Sequence, residues 1–457
     1  MENKHVERDL ESRSPWSLHG DKGKVSLQSP EGKVEAVLTV SGSKSLTNRA
    51  LIIAALAEGT SVIEGILRSD DSFWCIDALT RLGIKLEVDG NKVTVEGGGG
   101  LFPLVGGELY VGAAGTVARF LPGALAVQPA GAWKITGSAA LARRPLSPLL
   151  DALSDRGAEI QMEKEGSSLP YLLKAHGLQG GSVILPGDTS SQFISGLAIA
   201  APYAREPLTI AIKDEVVQQQ YVEMTLDMMA AFGVVPQVTN GGQAIVIPNG
   251  AYRGRSIVLE PDISACCYFW ALAALTDGTV KIEGIHAAST RQPDIELLGY
   301  LELMGCMVIR GEDFVEVQGP EVLRGGFTAN MKSCSDQTLT LAVLSIFADA
   351  PVSLTGAAHI RQHECDRISA ICEELGKLSI TVDEKPDGLT VYPGTPVPAT
   401  LDPHDDHRMA MALSLISSRI DGISIANPGC VSKTLPDYYE RLQQLGFGIT
   451  FETWGGC

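Results

Sequence analysis

The stretch DALTRLGIKLEVDGNKVTVEG, residues 77–97, reads as an amphipathic helix, a glycine at Gly83, a strand, a turn and a second strand. A glycine at a helix end takes the left-handed backbone conformation without the penalty a Cβ brings. The pattern returns as LLDALSDRGAEIQMEKEG from residue 149, TLDMMAAFGVVPQVTNGGQAIVIP from 225 and LLGYLELMGCMVIRGEDFVEVQG from 297. ISAICEELGKLSITVDEKPDGLTVYP follows from 368, and YYERLQQLGFGITFE closes the series from 438. The expected pivots are Gly83, Gly157, Gly233, Gly305, Gly376 and Gly446, recurring roughly every 70 residues, the mark of a repeated unit.

Between these copies lie helices rich in small apolar residues, each followed by a strand. LTNRALIIAALAEGTSVIEG and ACCYFWALAALTDGTVKIEGI are two of the six. They are apolar nearly all round, so they belong inside each unit, with the amphipathic helices outside them. Six such units exceed one core, and three plus three is the natural split, crossing near Leu259–Pro261. A solenoid scaffold is disfavoured, because the charged residues gather at one point of each unit.

The 457 residues carry 36 Lys plus Arg against 54 Asp plus Glu, a net charge of −18. That balance excludes nucleic-acid binding through a broad basic face, and binding to an anionic membrane surface. The 9 cysteines are scattered, without a CxxC pair, and read as reduced thiols rather than a disulfide framework. No apolar run approaches a membrane span, and no Cys/His spacing suggests a metal.

Polar chemistry recurs at the N-terminus of the buried helix. Copy one has Lys44, Ser45 and Arg49; copy two has Gly115 and Arg119; copy three has Ser190, Ser191 and Gln192. Copy five offers Asp336, and copy six Asp406, His407 and Arg408. Helix N-termini expose free N–H groups and the positive end of the dipole, so several together can receive anions without net positive charge. Taken singly, Ser45, Ser190 and Asp336 would each serve as helix caps, and Asp366 in HIRQHECDRIS likewise. Arg143, Arg144, Arg361, Arg367 and Lys433 add cations, and Glu364 sits in a general acid/base setting.

Past about residue 30 the chain resembles the 5-enolpyruvylshikimate-3-phosphate synthases (3-phosphoshikimate 1-carboxyvinyltransferases). The resemblance rests on SGSKSLTNRALIIAALAEGTS, GTVARFLPGAL, RRPLSPLLDAL, SSQFISGL, HECDRISA, DDHRMAMA and PGCVSKTLPDYY, in family order. It implies an α/β fold of two domains, each of three repeated βαβαββ units around buried parallel helices. Residues 31–43 with 259–457 would form the lower domain and 44–258 the upper one, with 1–30 a disordered extension.

The implied reaction moves the enolpyruvyl group of phosphoenolpyruvate to the 5-hydroxyl of shikimate 3-phosphate, releasing phosphate. By this resemblance Asp336, Glu364, Lys44 and His363 are the catalytic candidates. Lys44, Ser45, Arg49, Ser190, Ser191, Gln192, Gln218, Tyr221, Asp336, His359 and His363 would meet shikimate 3-phosphate. Lys44, Gly115, Arg144, Gln192, Glu364, Arg367, Arg408 and Lys433 would meet phosphoenolpyruvate, where glyphosate inhibits the family. The resemblance implies no cofactor or metal, and a cytoplasmic monomer binding neither nucleic acid nor membrane. This chain departs from common family residues at Ala113, Gln218–Gln220, His359 and His363. The sister enzyme acting on UDP-N-acetylglucosamine carries a loop cysteine before an Arg-Pro, whereas here no Cys lies between Cys75 and Cys266. A transferase recruited to another alcohol and a non-catalytic paralogue are the other readings; the intact Lys44, Arg144, Asp336, Glu364, Arg367 and Arg408 argue against the latter.

Overall fold

Each repeat closes as a four-stranded sheet in this computed structural model, which describes residues 10–455. Six such sheets occur among the described residues, all with one pattern. A parallel pair comes first, and two antiparallel strands follow. In the second copy Gly106–Tyr110 runs parallel to Gly131–Thr136, which pairs antiparallel with Tyr171–Ala175, and that strand in turn pairs antiparallel with Glu159–Met162. Parallel neighbours need a crossover, and the helix Gly115–Ala126 supplies it. The amphipathic helix Ser147–Asp155 then leads into the hairpin. The α/β repeat architecture is therefore the expected one.

The chain contacts divide into two units, residues 41–260 and residues 1–40 with 261–457, and each has its own apolar core. In residues 41–260 the helix pair Gly115–Ala126 and Ser191–Ala200 shows why small residues dominate the centre. A Cβ on Gly196 would stand 2.0 Å from the Arg119 carbonyl oxygen, and one on Gly123 would stand 2.7 Å from that of Gly196. The two backbones touch, and only glycine leaves room. In the other unit the helix Ile263–Thr276 is buried on nearly every side, as its uniform apolarity requires.

Five pivots have the left-handed conformation, with φ of 86° at Gly83, 108° at Gly157, 97° at Gly233, 96° at Gly305 and 94° at Gly446. The fifth copy differs. Gly376 lies inside the helix Arg367–Lys377, and Ser379 takes the turn at φ 63°. The hydrogen bonds explain the shift. Ile84 N–H donates to the Leu79 carbonyl at 3.1 Å, and Ile380 N–H to that of Leu375 at 3.1 Å, the same closure of the helix end. Leu378-Ser379-Ile380 thus occupies the place of Leu82-Gly83-Ile84, and the helix continues past the Leu-Gly pair that marks the end elsewhere.

The N-terminal segment also departs from expectation. Residues 1–9 lie outside the described residues, but from Leu10 the chain is built into the fold. Lys22–Gln28 is an inner strand of the last sheet, between Ile423–Ala426 and Gly448–Thr453. It completes the sixth repeat, which reaches the end of the chain one strand short. Val25 and Leu27 point into the core and are essentially unexposed, so this strand earns its place by burial. The cysteines among the described residues are free thiols. No helix among the described residues is long and apolar enough to cross a membrane.

Candidate active site

In residues 41–260 the first motif opens the helix Lys44–Leu56. Its cap is Ser43, whose hydroxyl accepts from Leu46 N–H, so Lys44 and Ser45 occupy the exposed-amide first turn. The Lys44 ammonium lies 3.5 Å from Asp71 Oδ2. One turn on, Arg49 is only 1% exposed. Its Nε donates to Thr225 Oγ1 at 2.7 Å, its Nη1 to the Ser45 carbonyl at 2.9 Å and its Nη2 to the Tyr221 carbonyl at 3.0 Å. The Tyr221 and Phe120 rings flank the guanidinium. Burial pushes Arg49 down to about 10, which leaves it charged at neutral pH. Its pairing is with neutral oxygens, so its charge remains available to an anion.

The remaining residues of this unit stand at the other buried helices. A Cβ on Gly115 would lie 2.7 Å from Arg144 Nη1 and 2.8 Å from Arg119 Nη1. Gly115 is therefore the gap through which Arg144 reaches the helix N-terminus. Arg119 fixes that gap by donating to the carbonyls of Gly115 at 3.0 Å and Pro145 at 3.1 Å. Ser190 caps the helix Ser191–Ala200 by accepting from Gln192 N–H, with Ser191 buried at the first position. Gln192 and Gln218 each hold one buried side-chain amide atom without a partner, and Gln218 takes φ 50°. Buried amide atoms left open in this way suit a polar ligand.

In the other unit a single guanidinium organises the cluster. Arg367 opens the helix Arg367–Lys377, capped by Asp366, so Asp366 is a cap as its position suggested. From there Nε donates to Asp406 Oδ2 at 2.7 Å, Nη1 to Asp336 Oδ1 at 2.8 Å and Nη2 to Glu364 Oε2 at 2.9 Å. Arg408 Nη2 donates to the other Asp336 oxygen at 2.9 Å, and Lys433 Nζ to Glu364 Oε1 at 2.8 Å. Three cations thus alternate with three carboxylates. The cations that the sequence places here are balanced by acids. An arriving anion would exchange with carboxylate partners rather than enter an excess of positive charge.

Arg367 Nη1 also donates to His363 Nδ1 at 3.1 Å, which puts the neutral ring's proton on Nε2. His359 Nε2 shares a 2.7 Å bond with Ser335 Oγ, and burial pushes this imidazole down to about 4, so it is neutral at pH 7. Asp336 itself lies on the short turn Ser335–Gln337 leading into the helix Thr338–Ile346, so it is free of capping duty.

Several supporting residues, Asp406 excepted, carry no mark in the sequence. Asp406 caps the helix His407–Ser414 while holding Arg367. Asp294, buried, accepts from Gln337 and from Ser264, which also accepts from Arg408. Burial, and then the charge of Asp336, pushes Asp294 up to about 6. Thr225 and Ser195 hold Arg49. Of these, only Asp406 had a signal, its place ahead of a buried helix. One carboxylate–imidazole group, Glu373, Glu374 and His404, has metal-like spacing among the described residues. The Lys377 ammonium lies 2.7 Å from Glu374 and 3.4 Å from Glu373, so that charge is already met.

The sequence model of EPSP synthase (3-phosphoshikimate 1-carboxyvinyltransferase) matches residues 28–442. The 3-phosphoshikimate 1-carboxyvinyltransferase 2 of Halalkalibacterium halodurans is 47% identical over 447 residues, 97% of this chain and 99% of that protein. The chloroplastic 3-phosphoshikimate 1-carboxyvinyltransferase of Arabidopsis thaliana is 38% identical, covering 96% of this chain and 87% of that protein. Among solved structures, an EPSP synthase of Acinetobacter baumannii superposes with a TM-score of 0.78 at 26% identity, over 94% of this chain and 100% of that one.

Proposed function

The chain belongs to the EPSP synthase family, and on that premise we propose how its residues divide the reaction. It transfers the enolpyruvyl group of phosphoenolpyruvate to the 5-hydroxyl of shikimate 3-phosphate and releases phosphate, the step of aromatic amino-acid synthesis that leads toward chorismate. The chemistry needs a proton delivered to the vinyl C3 and attack of the hydroxyl oxygen at C2. The resulting tetrahedral intermediate then expels phosphate as a proton leaves C3.

In our reading Glu364 gives and retakes the C3 proton, while Asp336 orients the hydroxyl and accepts its proton. Lys44 and His363 serve the hydroxyl and the departing phosphate. Arg367, Arg408, Lys433 and Arg144 take the anionic groups of phosphoenolpyruvate, beside Gly115. Arg49, Ser45 and Tyr221 take the carboxylate side of shikimate 3-phosphate, and Ser190, Ser191 and Gln218 its phosphate. Gln192 lies along the ring, and His359 contributes as a neutral donor.

The observation that carries this division is the fan of Arg367, which sets the two candidate acid/base carboxylates against two further cations at fixed distances. Such a group delivers protons while its neighbours bind the charge that develops on the leaving phosphate. The free thiols support a reducing, cytoplasmic setting.

Phosphate release from phosphoenolpyruvate tests the reading. It should require shikimate 3-phosphate, and UDP-N-acetylglucosamine should not replace it. Arg49→Met should raise the KM for shikimate 3-phosphate by about 100-fold, the loss of roughly 2–3 kcal/mol of charge-assisted bonding, without a matching rise for phosphoenolpyruvate. An unchanged shikimate 3-phosphate constant would remove Arg49 from that role.

A further inference from the structure

We infer that residues 10–21, which precede the stretch matched by the family, form a strap that positions the loops bearing Arg408 and Lys433, with Arg13 as its principal positioning residue. The inference rests on the reading of those two cations as ligands of phosphoenolpyruvate.

Two contacts define the strap. Arg13 Nη2 donates to Asp405 Oδ1 at 2.6 Å, and Asn427 Nδ2 donates to the same oxygen at 2.7 Å. Asp405 and His404 both hold left-handed backbone, at φ 56° and 52°, immediately before Asp406 and three residues ahead of Arg408. Two successive non-glycine residues in that conformation persist only where surrounding contacts over-determine them. The Arg13 ion pair is one such contact. The second contact is reciprocal. Leu18 N–H donates to Ser432 Oγ at 2.9 Å, and that hydroxyl donates to the Leu18 carbonyl at 2.9 Å. Ser432 is fully buried and directly precedes Lys433.

The strap is anchored beyond these contacts. His19 Nε2 lies 2.7 Å from Glu440 Oε1, and its ring stacks on Phe451 with centroids 4.1 Å apart. From there the chain enters the strand Lys22–Gln28. One short segment thus touches Asp405, three residues before Arg408, and Ser432, one residue before Lys433.

Steady-state kinetics of the full chain test this with Arg13→Gln, Arg13→Lys, Ser432→Ala and Lys433→Met. Arg13→Gln and Ser432→Ala should raise the KM for phosphoenolpyruvate by about 10-fold, within the loss that a sub-ångström misplacement brings. The KM for shikimate 3-phosphate should hold, the thermal midpoint should fall only by what the lost hydrogen bonds cost, and Arg13→Lys should restore most of the loss. Lys433→Met sets the reference, because the strap variants must move the constant that it moves. If Lys433→Met moves the shikimate 3-phosphate constant instead, the phosphoenolpyruvate assignment falls, and the strap stands when Arg13→Gln follows. Strap variants with wild-type constants overturn the strap. So does a loss in all constants that merely tracks a fall in thermal midpoint.

Discussion

Glu364→Gln keeps the side chain's size and removes its charge. In the wild type Oε1 accepts from Lys433 at 2.8 Å and Oε2 from Arg367 at 2.9 Å. A carboxamide has one acceptor oxygen, so one of the two cations would face an NH2 donor. Each charge-assisted bond is worth roughly 1.5–3 kcal/mol, and partial exposure of the group lets water recover part of it. Stability should therefore fall by only about 1–2 kcal/mol. Turnover should fall far more, about 10²–10⁴-fold, as when a positioned acid/base is deleted. Affinity for phosphoenolpyruvate should hold or tighten, since a carboxylate that competes for Lys433 and Arg367 is gone. Single-turnover phosphate release measures the first effect and equilibrium binding the second. Deuterium uptake at C3 in heavy water reads the proton step directly. Turnover within about threefold of wild type would refute the assignment of Glu364. Weakened phosphoenolpyruvate binding with normal deuterium uptake would make it a binding group instead.

Three other substitutions probe separate parts of the argument. Gly115→Ala places a methyl group against the Arg144 guanidinium, which must shift, and against that of Arg119, which its bonds to the Gly115 and Pro145 carbonyls hold in place. The KM for phosphoenolpyruvate should rise about 10-fold, with little change in a melting curve. Gly196→Ala meets a backbone carbonyl at 2.0 Å instead, and that cannot swing. It should cost about 3 kcal/mol or more in denaturant unfolding, against near-neutrality if the two helices can part.

His404→Gln tests pH dependence. The hydrogen bond to Glu374 raises the His404 pKa above 6.5. Burial pushes Glu374 up, but bonds from His404 and Lys377 outweigh it and hold the carboxyl below its usual 4.5. The imidazolium contribution is thus complete below the unfolded value of 6.5, and lost as pH rises through the raised folded value. Glu374 keeps its part above 4.5. The gap in thermal midpoint between wild type and His404→Gln should be wide at about pH 6 and narrow by about pH 9. A gap independent of pH would show the pair to be uncharged.

The repeat and the place of the site within it are legible because both follow from local rules. A glycine pivot and a uniformly apolar helix each leave a mark within a dozen residues. The failure at Gly376 is instructive for the same reason. Leu375-Gly376 mimics the helix end, but the core contact of Ile380 decides where the turn comes, and Ser379 meets the need at a modest conformational cost. Support residues leave no local mark of the side chain they hold, even where, as at Asp406, the start of a helix singles one out. Thr225 lies 176 positions from the Arg49 it holds, and Asp406 lies 39 from Arg367. Only the closed fold brings them together. Lys22–Gln28 is hidden in another way. It is a strand whose partners, Ile423–Ala426 and Gly448–Thr453, lie at the opposite end of the chain.

That strand has a consequence for how the protein comes into being. Gly20 and Trp454, at the rim of the last sheet, are joined across 434 positions. On the ribosome, residues 41–260 can gather all their partners soon after they emerge, whereas Lys22–Gln28 must wait for almost the entire chain. Loop closure over such a span is entropically dear and slow. Refolding should then show two phases. The contiguous unit forms first, and the slower phase is the homecoming of the N-terminal strand, which completes the last sheet.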